Sequence, residues 1–180
     1  MNRLLWMAAV GAMVCGWPAY GQESTRKDFE EFCRAWEGRW VGEVTWIADW
    51  PSLGKQGDKV TAYWEGRVVA DGHAMTATFF GGDGAGPSLI FFDPSVKQIK
   101  WISVDSGGTT RLGVIFKEGT AWRQNTDITK ADGTKIEYWN TVTISEDGNV
   151  HTWTGSGTTG DQKIEGQRDV WRRVSRSAHK

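Results

Sequence analysis

The sequence predicts an all-β fold: a closed up-and-down antiparallel barrel of about ten strands, with a short N-terminal helix plugging one end. Three observations carry this. From Arg39 onward apolar and polar residues alternate with a period of two, turn-forming residues recur about every ten positions, and no second helix interrupts the run of strands. Parallel pairing needs long crossovers, so each strand pairs antiparallel with the next. Left open, such a sheet would expose long edges rich in Val, Ile and Trp, an aggregation hazard that closure removes.

Residues 1–21 read as a secretory signal. Met1-Asn2-Arg3 supplies one positive charge, Leu4 to Gly16 is a short apolar core, Pro18 breaks it, and Ala19 and Gly21 are the small residues of a cleavage site. The protein is therefore expected to be periplasmic or secreted. The apolar run is shorter than the roughly 20 residues of a membrane-spanning helix, so no transmembrane segment is expected after signal removal. Val14 stands where a lipoprotein would want a small residue before Cys15. The remaining 159 residues, with 20 basic and 22 acidic side chains, suit one domain and lack the basic surface that nucleic acid requires. Cys33 is the one cysteine left, which rules out an intrachain disulfide and reads as a small buried apolar residue.

Residues 22–37 form the helical segment. Thr25 can cap it with Asp28 three residues on, and Phe29, Phe32, Cys33 and Trp36 share one face before Gly38 stops it. The barrel spans 38–176 and a polar tail 177–180. Its strands are read at 39–47, 59–70, 73–80, 89–92, 98–104, 109–116, 121–129, 134–144, 149–156 and 163–174. Tight turns such as Asp71-Gly72 and Asp147-Gly148 alternate with connections that are on the whole longer and richer in glycine, so one end should be tight and helix-plugged, the other a mouth with mobile loops.

Turn geometry sets which side chains point inward. A two-residue turn at Asp71-Gly72 pairs Val68 with Met75, Gly66 with Ala77 and Trp64 with Phe79. Asp147-Gly148 pairs Ile144 with His151, Val142 with Trp153 and Asn140 with Gly155. The turn at 130–133 is read to bring Asn125 opposite Tyr138 and Arg123 opposite Asn140. The first six strands then contribute an apolar wall of Trp40, Val44, Trp46, Trp64, Met75, Phe79, Trp101 and Leu112. The last four add Arg123, Asn125, Asp127, Tyr138, Asn140, Trp153 and Arg168. An apolar cavity with a few convergent polar groups is how a small-molecule site is built. Arg123, Asp127 and Asn140 could equally satisfy one another as a structural network.

Gly38-Arg39-Trp40, opening the first strand directly after a helix, resembles the Gly-x-Trp signature of lipocalins and the wider calycin superfamily. The resemblance implies barrel closure by an arginine of the last strand packed over this tryptophan. The apolar parity of Ile164, Gly166, Val170 and Val174 puts Arg172 in that role, over Trp40. The longer Gly38-Arg39-Trp40-Val41-Gly42-Glu43 is similar to the opening of nitrobindin-like ten-stranded barrels and of exported bacterial lipocalin-like domains. Nitrobindin-like proteins hold haem through a histidine near the chain's end. Here that strand carries arginines and His179 lies in the tail, so no cofactor is expected.

No catalytic set stands out. His73, His151 and His179 have no metal spacing, and the glycines at 81, 82, 84 and 86 precede no helix that would cradle phosphate. The leading expectation is an exported carrier of a small apolar or amphipathic molecule with a polar or anionic end. Its expected ligand-binding residues are Trp64, Met75, Phe79, Trp101, Arg123, Asn125, Tyr138, Asn140, Trp153 and Arg168, with Arg123 or Arg168 meeting the polar end. The resemblance also admits an isomerase, cyclase or decarboxylase drawing on Arg123, Asp127, Tyr138 and His151. A third reading is an envelope interaction domain using the open-end loops.

Overall fold

A computed structural model describes residues 22–175; the expected signal segment and the tail with His179 lie outside the described residues. The first element is the helix α1, Arg26–Trp36. Thr25 caps it reciprocally with Asp28: the Thr25 hydroxyl oxygen accepts from the Asp28 N–H at 3.1 Å and the Asp28 carboxylate accepts from the Thr25 N–H at 2.7 Å. Phe29, Phe32, Cys33 and Trp36 are all buried, as the helical spacing requires. Burial pushes the Cys33 thiol up to about 12, which leaves it inert as a nucleophile.

Ten strands follow: β1 Gly38–Thr45, β2 Lys59–Val69, β3 Ala74–Gly81, β4 Gly84–Asp93, β5 Gln98–Val104, β6 Thr110–Glu118, β7 Ala121–Thr129, β8 Lys135–Ile144, β9 Val150–Thr159 and β10 Gln162–Ser175. Each pairs antiparallel with its sequence neighbour and β1 pairs with β10, closing the barrel. This closed ten-stranded barrel is consistent with a calycin or lipocalin-like fold. Among the described residues no helix is long and apolar enough to cross a membrane.

The registers read from the two short turns hold. Trp64 faces Phe79, Gly66 faces Ala77 and Val68 faces Met75, although the β2–β3 link is a 3-10 turn at Ala70–Gly72 rather than two residues. Asn140, Val142 and Ile144 face Gly155, Trp153 and His151.

Three readings are corrected. The β7–β8 link pairs Lys130 with Thr134, which leaves three residues in the loop and places Thr126 opposite Tyr138 and Gln124 opposite Asn140. That one-residue difference turns Arg123, Asn125 and Asp127 outward, since side chains alternate faces along a strand. On β10 a bulge between Ile164 and Gln167, where Gly166 has φ +93°, reverses the parity beyond it, so Arg168 and Arg172 are exposed. Leu112 is 56% exposed, because Gly113 and Ile115 are the inward positions of β6.

The glycine run at 81–86 is not a long loop. β4 begins at Gly84, and a side chain on Gly84 would strike the Ser52 carbonyl, one on Gly86 the Val104 carbonyl at the end of the neighbouring β5.

The two ends differ as expected, but the mouth is covered. α1 seals the tight end: Arg26 donates to the Gly72 carbonyl at 2.5 Å, Lys117 meets Glu31 at 2.6 Å, and the Ser24 N–H donates to the Lys97 carbonyl at 2.8 Å. At the other end the segment 46–58 between β1 and β2, of which the sequence reads 48–58 as a mouth connection and 46–47 as strand, folds inward. Its Trp50 and Leu53 are buried against Ile128, Ile136, Tyr138 and Ile164.

Candidate functional site

Between α1 and the 46–58 segment lies a cavity of about 220 Å³. Nine tryptophans line it: Trp36, Trp40, Trp46, Trp50, Trp64, Trp101, Trp122, Trp153 and Trp171. Of the tryptophans after residue 21 only Trp139 stands outside, 42% exposed. Trp64, Phe79, Trp101 and Trp153 point inward yet are only partly buried, so their rings border open interior space.

The base of the cavity is a stack. The Arg173 guanidinium lies 4.1 Å from the centroid of Trp40, Trp40 lies 3.9 Å from the His151 ring, His151 lies 4.6 Å from Trp36, and Trp36 stacks on Phe32 at 4.3 Å. Arg173 also donates to the carbonyls of Ala35 (2.7 Å), Gly148 (3.2 Å) and Glu37, tying helix, turn and barrel together. The arginine expected over Trp40 is thus present, but it is Arg173 and not Arg172. Trp40 Nε1 donates to the Trp36 carbonyl at 3.1 Å. Burial, with the Arg173 charge beside it, lowers the His151 pKa to about 3, so its imidazole is neutral.

A polar relay runs along one wall. Tyr138 donates from its hydroxyl to Gln167 Oε1 at 2.5 Å, Gln167 Nε2 donates to Asp169 Oδ2 at 2.7 Å, and the Thr45 N–H donates to Asp169 Oδ1 at 3.3 Å. Gly155 makes this possible, since a Cβ there would lie 2.6 Å from Gln167 Oε1 and 2.7 Å from the Tyr138 hydroxyl. Burial raises the Asp169 pKa against the hydrogen bonds from Gln167 and Thr45. Burial and the Asp169 charge push the Tyr138 phenol up, which keeps its proton in place as a donor.

Toward the covered mouth, Asp105 accepts from the backbone N–H groups of Gly107 and Thr109 at 3.0 Å each and from Arg111 at 2.9 Å. The guanidinium of Arg111 sits 5.4 Å from the Trp50 ring, which Lys130 flanks at 5.3 Å.

Of the residues the sequence singles out, Trp64, Phe79, Trp101, Tyr138, Asn140 and Trp153 line the cavity, and Met75 is buried in the core beside it. Arg123 borders the cavity, but its guanidinium is turned away from it; Asn125 and Arg168 do not line it. Arg123 instead meets Glu118 at 2.8 Å and Thr141 on the outer surface. The structural network of Arg123, Asp127 and Asn140 and the acid–base set of Arg123, Asp127, Tyr138 and His151 therefore do not assemble either, because Arg123 and Asp127 lie on the outer face.

Sequence reading misses Arg111, Gln124, Thr126, Gln167 and Asp169. The bulge hides Gln167 and Asp169, and Gly166 next to them is the one signal that could reveal it. Among the described residues, six buried polar atoms on cavity-lining residues have no hydrogen-bond partner: Nε1 of Trp46, Trp64, Trp101 and Trp153, Oδ1 of Asn140 and Nε2 of His151. Protein-family models give no match to this chain, and neither do curated proteins.

Proposed function

We propose that this protein is an exported lipocalin-like barrel that binds a small, flat, mostly apolar molecule carrying a polar end. The observation that carries the reading is the cavity of about 220 Å³ walled by nine indoles. Side-chain packing alone does not call for an interior of this composition, because aliphatic residues fill a small barrel without leaving indole N–H groups unpaired. A ~150 Å³ apolar cavity holds benzene, so this volume suits a molecule of roughly ten non-hydrogen atoms. The buried polar atoms without protein partners, six on cavity-lining residues, would find theirs on such a molecule or on ordered water.

Export is supported by the residue order of 1–21. The calycin reading is supported by the arginine–tryptophan closure at Arg173 and Trp40. An anionic end loses its support, because Arg123 and Arg168, the residues offered for it, face outward.

Mild purification from the native host followed by native mass spectrometry tests the reading. The expected result is a non-covalent mass excess on the folded barrel that disappears when Ser88→Trp fills the interior. A single unliganded mass across growth conditions and no uptake of added aromatics would overturn it.

A further inference from the structure

Two carboxylates line the cavity, Asp105 and Asp169, and they are treated differently. Asp105 is matched by Arg111 at 2.9 Å. Asp169 is 3% exposed, and no lysine, arginine or histidine of the described residues pairs with it. Its protein partners are one amide N–H from Gln167 and one backbone N–H from Thr45. A buried carboxylate without a counter-charge is costly, and a relay of Tyr138 and Gln167 orients this one.

The surroundings of Asp169 are aromatic. Trp153 is its cross-strand partner on β9, Trp171 follows two residues on along the same face of β10, and Trp46 is the neighbour of Thr45. Indole faces attract cations, and more strongly where water is excluded. The other interior cations are already engaged, Arg111 by Asp105 and Arg173 by backbone carbonyls.

We propose that Asp169 and the indoles around it form a site for an organic cation, a primary or substituted ammonium carried on an aromatic body of roughly ten non-hydrogen atoms. The assignment rests on the reading that the cavity holds a small molecule, and it fixes the charge of that molecule's polar end. The ammonium donates to Asp169 and lies against indole faces, while the rest of the ligand stacks in the cavity. The same carboxylate rejects an anion of equal shape.

Calorimetric titration of the unmodified protein with 2-phenylethylammonium, 2-phenylethanol and phenylacetate decides between the possibilities. The three probes share a body and differ in the charge of the end. The ammonium should bind roughly tenfold or more tightly than the alcohol, as a charge-assisted hydrogen bond gives, and phenylacetate should bind weakest. Asp169→Asn should collapse the preference for the ammonium. Equal binding of ammonium and alcohol, a preference for phenylacetate, or a preference that survives in Asp169→Asn would overturn the cation site and leave the cavity reading standing. No binding of any probe would overturn both. If Asp169→Asn fails to fold, the order of the three probes on the unmodified protein still decides for or against the cation site.

Discussion

Replacing Arg173 with alanine removes the guanidinium 4.1 Å from the Trp40 ring and the donors that hold the carbonyls of Ala35, Glu37 and Gly148. Hydrogen bonds from a charged donor contribute about 1.5 kcal/mol each, reduced here because water can reach the barrel rim and replace some of them. A cation over an indole adds about 1 kcal/mol. The expected loss is about 2–4 kcal/mol. With a urea slope of about 2 kcal/mol/M, the unfolding midpoint should fall by about 1–2 M. The neighbouring Arg172 faces solvent, so Arg172→Ala should change stability by less than about 0.5 kcal/mol. Urea unfolding followed by tryptophan fluorescence measures both. An equal loss at the two positions, or a larger one at Arg172, would refute the bulge-shifted register of β10 and the closure built on it.

Two further outcomes are expected. The His151 pKa is about 3 in the folded protein against an ordinary 6.5. The unfolded chain therefore takes up this proton first on acidification, and stability present above pH 6.5 is lost as pH falls toward 3, by at most about 5 kcal/mol. Urea midpoints between about pH 7 and pH 4 should fall more steeply for the unmodified protein than for His151→Gln, and parallel curves would contradict this. At the mouth, Gly82 has φ +58° and a methyl there would fall on the Leu53 carbonyl. Gly82→Ala should cost about 1–3 kcal/mol and lift the 46–58 segment, read as faster proteolytic cleavage within it; an unchanged cleavage rate would count against the packing of that segment over the mouth.

What is legible in the sequence follows from where local rules fix geometry. The capping box at Thr25 and Asp28 and the period of Phe29, Phe32, Cys33 and Trp36 specify α1 without tertiary help. The short turns around Asp71-Gly72 and Asp147-Gly148 fix register, so Trp64, Met75, Phe79 and Trp153 fall on the correct face. Where a loop could be three or four residues long the hydrophobic pattern has to arbitrate, and β7 misleads it. Trp122 and Ile128 on one face compete with Arg123, Asn125 and Asp127, whose polarity suggests a ligand site but belongs to solvent.

β10 fails for a different reason. Apolar parity reads cleanly through Ile164, Val170 and Val174, yet the bulge at Gly166 inverts it, so the pattern leaves Asp169 outside the expected site and puts Arg172 inside. Alternation cannot show an extra residue in a ladder. The glycines at 84 and 86 look like loop punctuation because their use, close approach of another backbone, depends on segments distant in the chain, Ser52 for Gly84 and Val104 for Gly86.

Calorimetry with a size series tests most directly whether the indole-walled interior takes up a small molecule. Indole matches the cavity of about 220 Å³ and should bind saturably with one molecule per barrel. Pyrene, roughly twice as large, should not. Failure of indole to bind, or equal binding of pyrene, would contradict an interior site.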